Sequence, residues 1–126
     1  MKRIKGKYLV GALLLAAMVQ GCAEALEKDL SKQTVRLVAP SDGIVAPDSS
    51  AMTFAWDSLD GASRYTVQVV SPSFDSTVGL YADTTVKGFF FTLPQLTVRG
   101  RYQWRVMGSN TTSSSAYSVP RSFTVQ

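Results

Sequence analysis

The chain has 126 residues, with 13 Lys+Arg against nine Asp+Glu, a single cysteine and no histidine. Without histidine it lacks the commonest general base, any Ser-His-Asp arrangement and the commonest zinc ligand. One cysteine excludes an internal disulfide, and the length suits one core rather than two domains.

Lys2, Arg3, Lys5 and Lys7 precede a run from Tyr8 to Val19 that carries no charge and is rich in Leu, Val and Ala. At 12 residues the run is too short to cross a hydrocarbon core, which takes about 20. A basic start, a short apolar middle and a small exit residue are the pattern of a cleaved secretory signal. The exit, Val19-Gln20-Gly21-Cys22, resembles a bacterial lipobox. The resemblance implies a signal peptide over 1–21 and a diacylglycerol on the Cys22 thiol, anchoring the chain to a membrane of the cell envelope. Ala23, rather than Asp, after the cysteine points by the same resemblance to the outer membrane and leaves the side it faces open. Without the leader, residues 22–126 hold nine basic and nine acidic side chains. The surplus of +4 in the whole chain is therefore no sign of a nucleic-acid partner.

Residues 22–33 are mostly polar and read as the lipidated cysteine and a flexible tether, with the folded domain over 34–126. From Thr34 onward short alternating runs are separated by Pro, Gly, Ser and Asp, the pattern of an all-β domain. Seven strands are predicted: Thr34–Ala39, Met52–Asp57, Arg64–Ser71, a weak one at Val78–Ala82, Lys87–Leu93, Arg101–Gly108 and Arg121–Val125. Strand side chains alternate between faces, which turns Phe54, Trp56, Tyr65, Val67, Val69, Phe89, Phe91, Tyr102, Trp104, Val106 and Phe123 inward. Seven such strands suit an antiparallel β-sandwich of the immunoglobulin-like kind.

Met52-Thr-Phe-Ala-Trp56 and Tyr65-Thr-Val-Gln-Val69 resemble strands B and C of a fibronectin type III domain. Leu96 followed by Tyr102 is similar to the Leu-x5-Tyr corner that opens strand F of that family, and Tyr102, Trp104, Val106, Gly108 and Asn110 keep its spacing. The resemblance covers about residues 35–126 and implies a buried Leu96 and Trp56. No Arg-Gly-Asp occurs, so integrin-type recognition is not implied.

No catalytic residue, metal site or cofactor is expected. Asp57 and Asp60 fall in a turn, where Asp bonds to nearby backbone, and the acids lack the Asp-x-Asp-x-Asp spacing of a calcium loop. Charge is segregated instead. Residues 84–126 contain Lys87, Arg99, Arg101, Arg105 and Arg121 and no acid. Arg101, Gln103 and Arg105 should lie on the outer face of one strand, with Arg121 and Tyr117 beside them. This stripe either binds an anionic glycan or an acidic protein patch, or is neutralised by acids of neighbouring strands. Val70 and Phe90 should also point outward, as an apolar patch or around a bulge. Asp75-Ser76-Thr77 and Asp83-Thr84-Thr85 match a weak O-glycosylation pattern. The expected role is a non-catalytic binding module for an envelope protein or surface polysaccharide. The alternatives are a structural subunit or spacer of an outer-membrane complex and, least favoured, a carbohydrate-active enzyme.

Overall fold

The computed structural model describes residues 27–126. The basic leader and Cys22 lie outside the described residues. Eight strands follow in chain order: β1 (Leu37–Ala39), β2 (Ile44–Ala46), β3 (Met52–Trp56), β4 (Arg64–Pro72), β5 (Thr77–Val86), β6 (Phe90–Leu93), β7 (Gly100–Ser109) and β8 (Arg121–Val125). One sheet has the order β1-β3-β6 and the other β2-β8-β7-β4-β5. The described residues are all-β, two sheets packed as a sandwich.

Alternation builds the core. In β7, Tyr102, Trp104 and Val106 are fully buried, while Gln103, Arg105 and Met107 between them are only half-buried. Phe54 of β3 reaches across to Trp104, with ring centroids 5.0 Å apart, and to Phe123 of β8 at 5.7 Å. Tyr102 stacks on Phe123 at 5.1 Å, and Trp56 meets Tyr65 at 5.8 Å. Leu96 is buried, and the Tyr102 hydroxyl donates to the Val98 carbonyl, which closes the corner before β7. Each fully buried large apolar side chain contributes about 1.5–3 kcal/mol, so this cluster is the main source of stability.

Several expectations are corrected. The count is eight strands, not seven, and the extra strand β2 pairs with β8 in parallel. The chain leaves the first sheet at Pro40 and turns at Gly43, whose φ of +83° suits glycine. It then joins the free edge of β8, where the Gly43 amide donates to the Ser122 carbonyl at 2.7 Å. At three residues, β2 is too short to show a period. β5 extends to Val86 because Asp83–Val86 continue the pairing with Gln68–Tyr65.

β6 starts at Phe90, so Phe89 belongs to a loop and is 51% exposed, its ring edge-on to Tyr65 at 5.8 Å at the margin of the core rather than within it. Phe91 is half-buried and packs against the core from its margin. Val70 and Phe90 form no patch, because they lie in different sheets. Phe90 is exposed, but Val70 is buried. The β4–β5 pairing shifts register between Val69 and Val70. Val70 stands opposite Gln103, and the Gln103 side chain accepts the Phe74 amide at 2.9 Å. The tip of the β4–β5 hairpin therefore folds over this row and covers Val70.

The flexible-tether expectation fails from residue 27 onward. Leu30 is fully buried, and the main chain of 28–30 is bonded to the loop after β7. The Asn110 amide donates to the Lys28 carbonyl at 2.7 Å, and the Leu30 amide donates to Ser113 Oγ at 3.0 Å.

Candidate binding face

Pairing of β7 with β4 and β8 places the candidate residues on the outer face of the five-stranded sheet. Arg105 stands opposite Gln68, Gln103 opposite Ser122 and Val70, and Arg101 opposite Thr124. The face converges on Arg105. Its Cζ lies 4.0 Å from the Phe74 ring centroid and 4.2 Å from that of Tyr117. Two rings that close cannot share one side of a planar group, so they clasp the guanidinium from both sides. Arg105 Nε donates to Gln68 Oε1 at 2.9 Å, which fixes its rotation.

A guanidinium has five N–H donors. Only the Nε–H of Arg105 has a hydrogen-bond partner among the described residues, and no carboxylate pairs with the group. Asp83 stands in the same row but one strand beyond Gln68. Cation–π contacts hold the plane with about 0.5–2 kcal/mol each, depending on desolvation. The free edge, with its terminal nitrogens, has the geometry for a carboxylate or another planar anion. Burial pushes the Tyr117 phenol up from its ordinary value, Asp83 adds to the shift and Arg105 opposes it, so the hydroxyl stays protonated at neutral pH.

The other expected residues divide. Gln103 binds the Phe74 amide and donates to Ser122 Oγ at 3.3 Å, and so supports the clasp. Arg101 is exposed and donates to the same Ser122 Oγ at 3.3 Å. Arg121 does not join the face. Its guanidinium donates to the carbonyls of Leu37 at 2.8 Å, Pro40 at 3.0 Å and Val38 at 3.1 Å. It satisfies the open edge of β1, a structural use that a position at the start of a strand does not reveal.

Two participants were missed. Phe74 is a lone aromatic in a Ser- and Asp-rich hairpin, a signal that was there to be read, whereas Gln68 is visible only through pairing register. A shallow cleft of about 320 Å³ adjoins the face, lined by residues 34–37, 117–119 and 121. It contains no carboxylate. Among the described residues no three metal-ligating side chains gather.

No protein-family model matches the sequence, and no curated protein matches it. Solved structures do match in shape. The fibronectin type III domain of the human KIAA0970 protein is 17% identical, with a TM-score of 0.55 over 81% of this chain and 78% of that one. The fibronectin type III domain of human fibronectin type III domain containing protein 3 is 15% identical, with a TM-score of 0.52 over 79% of this chain and 91% of that one. At such identities the likeness establishes the fold alone. The domain has the fibronectin type III fold, as the Leu96–Tyr102 corner and the Tyr65–Val69 run imply.

Proposed function

We propose that this chain is a lipid-anchored envelope protein whose sandwich is a non-catalytic binding module for a carboxylate-bearing partner, a surface polysaccharide or an envelope protein. The observation that carries the binding role is Arg105, held between Phe74 and Tyr117 with four N–H groups that have no partner among the described residues. An arginine serving only stability would ordinarily spend those donors on carboxylates or carbonyls, as Arg121 does. Domains of this fold generally act as binding or spacer modules, which supports the reading. The anchoring rests on the basic leader and the lipobox-like Val19-Gln20-Gly21-Cys22.

The binding test compares retention by immobilised polygalacturonate and by poly-glutamate with retention by a neutral glucan. Wild type should be retained by at least one anionic matrix and released by salt. Arg105→Gln should lose at least tenfold in affinity with an unchanged melting temperature. Equal retention of the variant, or passage of wild type through every matrix, removes the proposed site. Protease treatment of intact cells carrying a tag after Gln126 reads the side of the membrane.

A further inference from the structure

The end of the sandwich from which the N-terminal segment emerges has an unusual surface. Leu37 pairs with Trp56, Arg64 with Ser109 and Tyr65 with Val86. These registers bring four segments to one pole: 27–36, 57–63, 87–89 and 110–118. The opposite pole carries 47–51, 94–99 and the C-terminus, where Val125 pairs with Gly100.

At the first pole the N-terminal segment is locked down. Asn110 donates to the carbonyls of Lys28 and Gly61, at 2.7 and 3.1 Å. Glu27 accepts the Thr111 amide at 3.0 Å, and Lys28 pairs with Asp60 at 2.9 Å. Beside this latch, Lys87-Gly88-Phe89-Phe90 carries two partly exposed aromatic side chains: Phe89, 51% exposed with its ring edge-on to buried Tyr65 at 5.8 Å, and Phe90, 64% exposed on the outer face of β6 opposite Ala55. The acids of this end are engaged within the chain, Glu27 by Thr111, Asp29 by Ser31, Asp57 by Arg36 and Asp60 by Lys28. What the Lys87 loop offers a partner is therefore apolar rather than strongly charged.

We infer that this pole is the membrane-facing end of the domain, with Phe89 and Phe90 seated in the lipid headgroup region. The inference rests on the anchoring of Cys22. Five residue steps separate Cys22 from Glu27, a span of at most about 18 Å. Because the latch begins at Glu27, no longer leash is available. The pole is thereby held within reach of the bilayer, and an aromatic pair flanked by lysine is the chemistry that partitions into its interface. Exposed apolar surface of this kind on a small domain marks a contact, and the length and exit point of the N-terminal segment name the bilayer as the occupant. The Arg105 face then stands along the side of the anchored domain.

The test uses the full-length protein, processed in cells and reconstituted in phosphatidylcholine vesicles. Gly88→Cys places a thiol at the pole, where an added Cβ meets nothing within 4 Å, and Thr97→Cys places one at the exposed opposite end. Each is labelled with an environment-sensitive fluorophore and quenched by a headgroup nitroxide lipid. Position 88 should be quenched at least threefold more than position 97, at low salt and in 1 M salt alike. Adding Phe89→Ser and Phe90→Ser to Gly88→Cys should lower the quenching at position 88 at least twofold, with the near-ultraviolet dichroism of Trp56 and Trp104 unchanged, and unchanged quenching there overturns the seating of the two rings. Equal quenching at the two positions on an acylated chain overturns the orientation alone. A mature chain whose mass shows no acyl group on Cys22 overturns the anchoring, and this inference with it.

Discussion

The side-chain amide of Asn110 donates to the main-chain carbonyl of Lys28 at 2.7 Å, across 82 residues of sequence. Asn110 is buried, and its side-chain oxygen accepts the amides of Thr112 at 3.0 Å and Ser113 at 2.8 Å. One residue thus shapes the loop after β7 and holds the segment before β1 in place. It turns what composition suggests is a leash into part of the fold.

Asn110→Ala should release that segment. It removes the donor from two carbonyls and leaves the amides of Thr112 and Ser113 without their acceptor. A loss of about 2–3 kcal/mol follows from the cost of unsatisfied buried groups. For a domain of this size that is a fall in Tm of roughly 10–20 °C, read by thermal denaturation. Trypsin should cut after Lys28 and Lys32 several-fold faster in the variant. Unchanged cleavage would mean that Leu30 holds the segment without Asn110. The Lys28–Asp60 pair adds a pH dependence of known sign. The hydrogen bond from Lys28 holds the Asp60 carboxyl below its usual 3.8. Its contribution is therefore present above that value and is lost as pH falls through the lower folded value.

Gly61 tests the latch from the opposite side. Its φ is +88°, and an added Cβ would lie 2.7 Å from the Lys28 Cβ and 3.3 Å from Leu30 Cδ2. Gly61→Ala should combine backbone strain of about 1–2 kcal/mol with displacement of the segment, and should show the same accelerated trypsin cleavage. Gly88→Ala, whose Cβ enters open space, should leave both melting and cleavage within error of wild type.

Arg121→Met should expose how β1 is finished. The carbonyls of Leu37, Val38 and Pro40 lose their common donor, a cost of about 1–3 kcal/mol read by denaturant unfolding. Arg121→Lys should recover only part of it, because an ammonium lacks the planar fork that reaches three carbonyls together. Binding through the Arg105 face should be unaffected by either change.

What the sequence discloses depends on how far apart the deciding residues are. Tyr65–Val69 and Tyr102–Val106 alternate so regularly that strand, face and burial all follow from neighbours two positions away. The fold class is legible for that reason, as is the Leu96–Tyr102 corner. Val70, Leu30 and Arg121 are settled by residues distant in the chain. A register shift and a folded-over hairpin bury the first, Asn110 and Ser113 anchor the segment carrying the second, and carbonyls 81 to 84 residues away occupy the third. The candidate site splits likewise. Arg101, Gln103 and Arg105 follow from alternation, whereas Gln68 and the clasping of Phe74 and Tyr117 onto Arg105 exist only once β4, its hairpin, β7 and the loop after it are in place.

Tyr102 provides the pH prediction with the largest expected signal. Burial pushes its phenol up to about 12, with Tyr81 and then Asp48 adding to the shift. The Tyr81 ring stands edge-on at 5.0 Å, and the hydroxyl donates to the Val98 carbonyl, a bond that only the protonated form makes. In the unfolded chain the same phenol titrates near 10. Between about pH 10 and 12 the folded state therefore holds a proton that the unfolded state has lost, so stability falls as pH rises. The contribution is complete below 10 and is lost through 12, on the order of 2–3 kcal/mol. Tyr102→Phe isolates it from the other tyrosines and lysines that titrate there. At pH 7 the variant should be less stable by about 1 kcal/mol, the worth of one hydrogen bond. From pH 9.5 to 11.5 it should lose less stability than wild type, so the two unfolding midpoints converge and then cross. Midpoints that keep a constant separation over that range would show that the Tyr102 hydroxyl titrates alike in the folded and unfolded chains.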